Sequence, residues 1–166
     1  MKIVKSCLSL VVFTLILTLS AGGAAAAPAV DDAHALAGLE RGKIVFDINL
    51  KDAPSLALYL KVIHQTHNDL VRQGVTPEIV LAFRGLAVTL IQHPQGAEKA
   101  GDAVVQVGNL LTELKALGVR MEACNVATQL FNVPRENLLP GVELVGNTFI
   151  SLMGYQHQGF ALVPIM

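Results

Sequence analysis

The chain has 166 residues, enough for one domain with a real core and too few for two ordinary ones. It is apolar, with mean hydropathy +0.53, few aromatics and a formal net charge of −1. Near-neutral charge without a basic patch interleaved with aromatics excludes the electrostatic footprint of a nucleic-acid-binding protein.

The first residues carry their own pattern. Lys2 and Lys5 precede an apolar run, Cys7–Leu19, which leads into the small residues of Ser20–Ala27. That is the order of a secretory signal peptide. The run is shorter than the roughly 20 residues a spanning helix needs, which makes an uncleaved anchor the weaker reading. Cleavage is expected after Ala26, within a few residues, leaving a periplasmic or secreted domain with no membrane segment. Because two lysines and no acids leave with the leader, the net charge moves from −1 to −3. Cys7 leaves as well, and Cys124 becomes the sole thiol of the mature chain. No internal disulfide can then form. Cys124 is a buried structural thiol, a reactive thiol, or half of an intermolecular bridge.

Residues 27–42 read as a tether or capping segment, and 43–166 as the domain. Lys43–Leu50 is the first predicted strand. Asp52 is a good N-cap and Pro54 suits a first turn, so a helix opens there. Leu56, Tyr59, Leu60, Ile63, His67, Leu70 and Val71 recur along one face of it, and Gly74 ends it. Pro77–Phe83 is a second, buried strand, closed by Arg84 and Gly85. A short apolar helix over Leu86–Gln92 and a turn at His93–Gly96 follow. Ala97–Leu117 is predicted as one long amphipathic helix, stopped by Gly118. Strand three is Val119–Cys124, with a short helix at Val126–Phe131 and a loop from Pro134 to Gly141. Val142–Val145 is strand four. Gly146 and Asn147 open a helix through His157, and Phe160–Ile165 is strand five.

The strand–helix alternation implies parallel strands joined by right-handed crossovers. The expected fold is α/β: a three-layer sandwich with one mainly parallel five-stranded sheet and helices on both faces. Runs such as EIVLAF suit a sheet buried on both sides. Ligands of such sheets bind outside the carboxyl ends of the strands. Those ends carry Asp47 and Asn49, Arg84 and Gly85, Cys124 and Asn125, and Gly146 and Asn147. A thiol there precedes a helix, where free N–H groups favour a thiolate. Arg84 would push the same way. The candidate site is therefore Cys124 as the reactive residue, with Arg84, Gly85, Asn49, Asn125 and Asn147 as binding residues. The opposing reading is a small apolar plug at a strand end, which cysteine also provides.

Other chemistry is thinly marked. His64 and His67 lie three apart on one helix, but no carboxylate or cysteine sits one turn away in a ligand pattern, so no metal is expected. No cofactor is expected either. The chain has no GxSxG, GxxxxGK[ST], HExxH, CxxC or strand-turn GxGxxG. No histidine lies close to Cys124 in sequence. Whether the protein is an enzyme stays open at this level.

Four stretches resemble the DsrE/DsrF-like family, whose fold is of the YchN type. They are KIVFDINL with ALYLKVIHQTHNDL, EIVLAFRGLAVTLI, ELKALGVRMEACNVATQ, and the tail GVELVGNTFISLMGYQHQGFALVPI. Together they span Lys43 to Ile165. The resemblance implies a five-stranded parallel sheet between helices and assembly into trimers or hexamers. It further implies sulfur transfer through a cysteine persulfide, with a sulfur donor or acceptor protein as partner; only Cys124 matches that cysteine. Two features depart from the family: the signal peptide, and Arg84 where a histidine before glycine is more familiar. Two functions thus stand side by side, a persulfide-based sulfur carrier and a non-enzymatic oligomeric binding or assembly module with a structural cysteine.

Overall fold

The structure, a computed structural model, describes residues 30–94 and 101–166. The predicted signal peptide, Cys7 and part of the His93–Gly96 turn lie outside the described residues.

A single turn of helix, α1 (Ala33–Leu36), precedes β1 (Arg41–Ile48). The remaining elements are α2 (Ala53–Arg72), β2 (Thr76–Phe83), α3 (Asp102–Ala116), β3 (Arg120–Cys124), α4 (Asn125–Leu130), β4 (Val142–Val145), α5 (Thr148–His157) and β5 (Ala161–Ile165). α2 starts as its sequence requires: the Asp52 carboxylate accepts from the Ser55 N–H at 2.8 Å, and proline occupies the first turn. The short helix predicted after β2 is a 3₁₀ helix, Gly85–Leu90, whose first residue, Gly85, takes φ +56° and starts a tight turn. α3 begins at Asp102 with the extended Gly101 as its N-cap residue, and residues 97–100 of the predicted helix lie outside the described residues.

The five strands form one sheet in the order β4-β3-β2-β1-β5, with every pairing parallel. Right-handed crossovers explain the layering. The first three connections step in one direction across the sheet, so α2, α3 and α4 share one face. The fourth returns from one edge to the other, so α5 lies on the opposite face. The two cores follow strand alternation. Phe46, Ile48, Leu81, Phe83 and Met121 pack with Leu56, Leu60, Ile63, Leu111 and Leu114 of α2 and α3. Val45, Val80 and Ala82 pack on the other side with Leu152 and Tyr155 of α5.

The α5 face also holds a buried acid. Glu122 of β3 is 4% exposed and accepts from the Tyr155 hydroxyl at 2.5 Å. Arg120 Nη1 donates to the same hydroxyl at 3.3 Å. The other oxygen of Glu122 has no partner among the described residues. Burial and the bond to Glu122 push the Tyr155 phenol up. Tyr155→Phe would strip Glu122 of its hydrogen bond and is expected to cost about 1–3 kcal/mol. Urea denaturation of the two proteins checks this, and equal midpoints would contradict it.

Candidate functional site

The strand order places Cys124 at a topological switch point. From β3 the chain turns into α4 on one face; from its neighbour β4 it turns into α5 on the other. The crevice between such diverging connections is where open α/β sheets bind ligands. Cys124 ends β3 opposite Val145, and α4 begins at the next residue. Asn147 caps α5 through its side chain, accepting from the Phe149 N–H at 2.9 Å.

A cavity of about 210 Å³ fills this crevice. Cys124, Arg84 and Thr148 give it polar groups, and Val126, Leu130 and Phe149 give it an apolar rim. Cys124 itself is 5% exposed. It is therefore buried, yet it lines a space several times the roughly 30 Å³ share of a water molecule.

The thiol is held below its ordinary pKa. Burial is the largest single influence and pushes it up. The Thr148 N–H and hydroxyl, with the N–H groups of Ala127 and Val126, outweigh burial together. The hydroxyl is informative by itself. Thr148 is 1% exposed, and its Oγ1 has no hydrogen-bond partner among the described residues. A thiol is a weak acceptor; a thiolate or persulfide anion is a strong one. The donor is thus in place for a charge that the neutral site lacks.

Of the residues expected at the site, Arg84, Gly85, Asn147 and Cys124 line one cavity. Asn49 and Asn125 do not line it. Asn49 instead lies over Gly85, so closely that a Cβ at Gly85 would collide with Asn49 Oδ1. The sequence reading missed Thr148 and Phe149, because it offered no strand order to bring the start of α5 beside the end of β3. It also missed that Asp47 pairs with Arg84, at 2.6 Å from Oδ1 to Nε. Asp47 stands near its strand end, and a charged residue within an apolar strand is the available signal.

An open parallel α/β domain with a lone described cysteine at the strand tips is the class these features define. Residues 43–165 match the DsrE/DsrF-like family, and the chain belongs to it. An uncharacterized protein of Aquifex aeolicus (strain VF5) is 25% identical over 127 residues. That match covers 74% of this chain and 55% of the relative, so the chain spans only about half of that protein's length. Among solved structures, the protein of unknown function MTH1491 from Methanobacterium thermoautotrophicum has a TM-score of 0.61 at 20% identity. The ychN protein from E. coli has a TM-score of 0.51 at 19% identity. Each alignment covers 75% of this chain and 99% of the other, and at these identities each shows a shared fold.

Thr148→Val keeps the shape and removes the hydroxyl. The Cys124 pKa should rise, and alkylation at neutral pH should slow by about threefold to tenfold, the loss of one charge-assisted hydrogen bond. The sign extends to stability. A thiol depressed in the folded state stabilises the fold above its unfolded pKa, and that contribution is lost as pH falls through the folded value. Alkylation rate against pH for both proteins is the measurement; coincident profiles would refute the role of Thr148.

Proposed function

We propose that this domain carries sulfane sulfur as a persulfide on Cys124. The observation that supports it best is the buried Thr148 hydroxyl, without a hydrogen-bond partner among the described residues, beside a thiol already biased toward its anion. Loading needs no cofactor and no net oxidation. The Cys124 thiolate attacks the outer sulfur of a donor persulfide. An Sγ–S bond forms, and the donor's S–S bond breaks. The donor sulfur leaves with the electron pair and takes up the proton, while the negative charge moves to the new outer sulfur on Cys124. Delivery to an acceptor thiolate is the reverse step. A terminal sulfur one bond beyond Sγ would share the cavity that Arg84 also lines. Membership of the family agrees with this reading without requiring it, since one fold hosts many functions.

The partners follow from the rim. Leu130 is 71% exposed and Phe149 65%, which suits a protein that presents its persulfide into an apolar mouth. Ile150 and Met153 continue this exposed surface along α5. We place self-association there, as a homo-oligomer, and place the mature protein outside the cytoplasm on the strength of its leader sequence.

A second reading, a non-catalytic assembly module, draws on the same exposed face of α5 and on the low exposure of Cys124. Intact mass after incubation with polysulfide separates the two. The carrier gains sulfur atoms that a reductant removes, Cys124→Ser gains none, and both proteins show the same oligomeric state by sedimentation. A folded wild-type protein that stays unmodified would leave the assembly module standing alone.

A further inference from the structure

Arg84 reaches the Cys124 cavity from the end of β2, and its guanidinium is gripped on two sides. Nε and Nη2 donate to the two oxygens of Asp47, at 2.6 and 2.9 Å. Asp47 projects from the neighbouring strand β1 and is 6% exposed. It makes no other side-chain hydrogen bond among the described residues. On its other side Arg84 lies over the Phe149 ring of α5, 5.6 Å from the centroid. Nη1 keeps its hydrogens free of protein acceptors among the described residues. An unrestrained arginine stem samples many rotamers, whereas a bidentate carboxylate fixes the plane of the fork. Opposite charge from the Asp47 bond, and to a lesser degree from Cys124, pushes the Arg84 pKa up. The remaining acid nearby, Glu122, lies two residues before Cys124 and is engaged by Tyr155.

We propose that Asp47 is a positioning residue: by clamping the Arg84 fork against Phe149, it fixes one cation beside the sulfur of Cys124. Its purpose rests on the sulfur-carrier reading, because a persulfide is the anion that such a cation would hold. The clamp itself is tested without any sulfur transfer.

The experiment compares alkylation of Cys124 by iodoacetate, an anion, and iodoacetamide, its neutral analogue. The ratio of the two rates reports the local charge at Sγ and cancels changes in thiolate fraction and access. The full chain is used as wild type, Asp47→Asn, Arg84→Gln, the double variant and Phe149→Ala. Asp47→Asn and Arg84→Gln should each lower the ratio about fivefold, the effect of one unit charge at close range in hydrated surroundings. The double variant should show no further fall, since both substitutions remove the same cation. Phe149→Ala should lower the ratio by a smaller factor. An unchanged or raised ratio in Asp47→Asn overturns the proposal, because the carboxylate would then only dilute the charge of Arg84. Additive effects in the double variant overturn it as well. If Asp47→Asn does not fold, the exposed Phe149 decides: an unchanged ratio in Phe149→Ala overturns the clamp. A wild-type chain that takes up no sulfur but shows these ratios would sink the carrier reading and leave the clamp intact.

Discussion

Four connections build the sheet, and three of them run over one face. The fourth, from β4 to β5, must cross from one edge to the other, past β3, β2 and β1. Right-handedness forces it onto the opposite face. Four strand spacings are roughly 19 Å, and a ten-residue helix such as α5 is roughly 15 Å long. The helix on that side is therefore shorter than the sheet is wide, and Leu162 of β5, beside Val45, stays 39% exposed. The α2–α3 layer has the larger apolar core by comparison, with its own Leu60, Ile63, Leu111 and Leu114 all buried.

That asymmetry creates the site. Where α4 and α5 leave adjacent strand ends for opposite faces, the backbone opens, and Cys124 stands in the gap. The same divergence aims two sets of N–H groups at one sulfur, those of Val126 and Ala127 from α4 and that of Thr148 from α5. Burial alone would make Cys124 inert. Burial with these donors favours the thiolate instead, because the N–H groups and the Thr148 hydroxyl together outweigh the cost of desolvation.

Strand alternation, caps and glycines made the elements legible from sequence, because those signals are local. Asp52, Pro54 and Gly74 bound α2 through side-chain and backbone chemistry within a few residues. Cys124, Arg84, Gly85 and Asn147 were legible as strand-end residues, and a parallel sheet puts all strand ends on one edge. The grouping within that edge was not. Thr148 meets Cys124 because β4 pairs with β3, and Asp47 meets Arg84 because β1 pairs with β2. Lateral order depends on long-range packing that no window of the sequence contains. Gly85 shows the same limit on a smaller scale: the short helix expected after β2 is a 3₁₀ helix that starts from a positive φ under Asn49, a detail its apolar sequence does not carry.

The thin layer ties stability to reactivity. α5 contributes Thr148 and Phe149 at its start and Tyr155 near its end, ten residues in all. The Tyr155 bond to Glu122 holds the later part of the helix to β3, the same strand that ends in Cys124. Phe149 touches Arg84, and Arg84 is bonded to β1 through Asp47. One helix is thus pinned through polar contacts to β1, β2 and β3, in a layer whose apolar core is small. The helix that supplies the Thr148 donor is held near both of its ends, by Phe149 on Arg84 and by Tyr155 on Glu122. A thicker apolar layer would hold the helix more firmly and would also close the crevice that gives Cys124 its access.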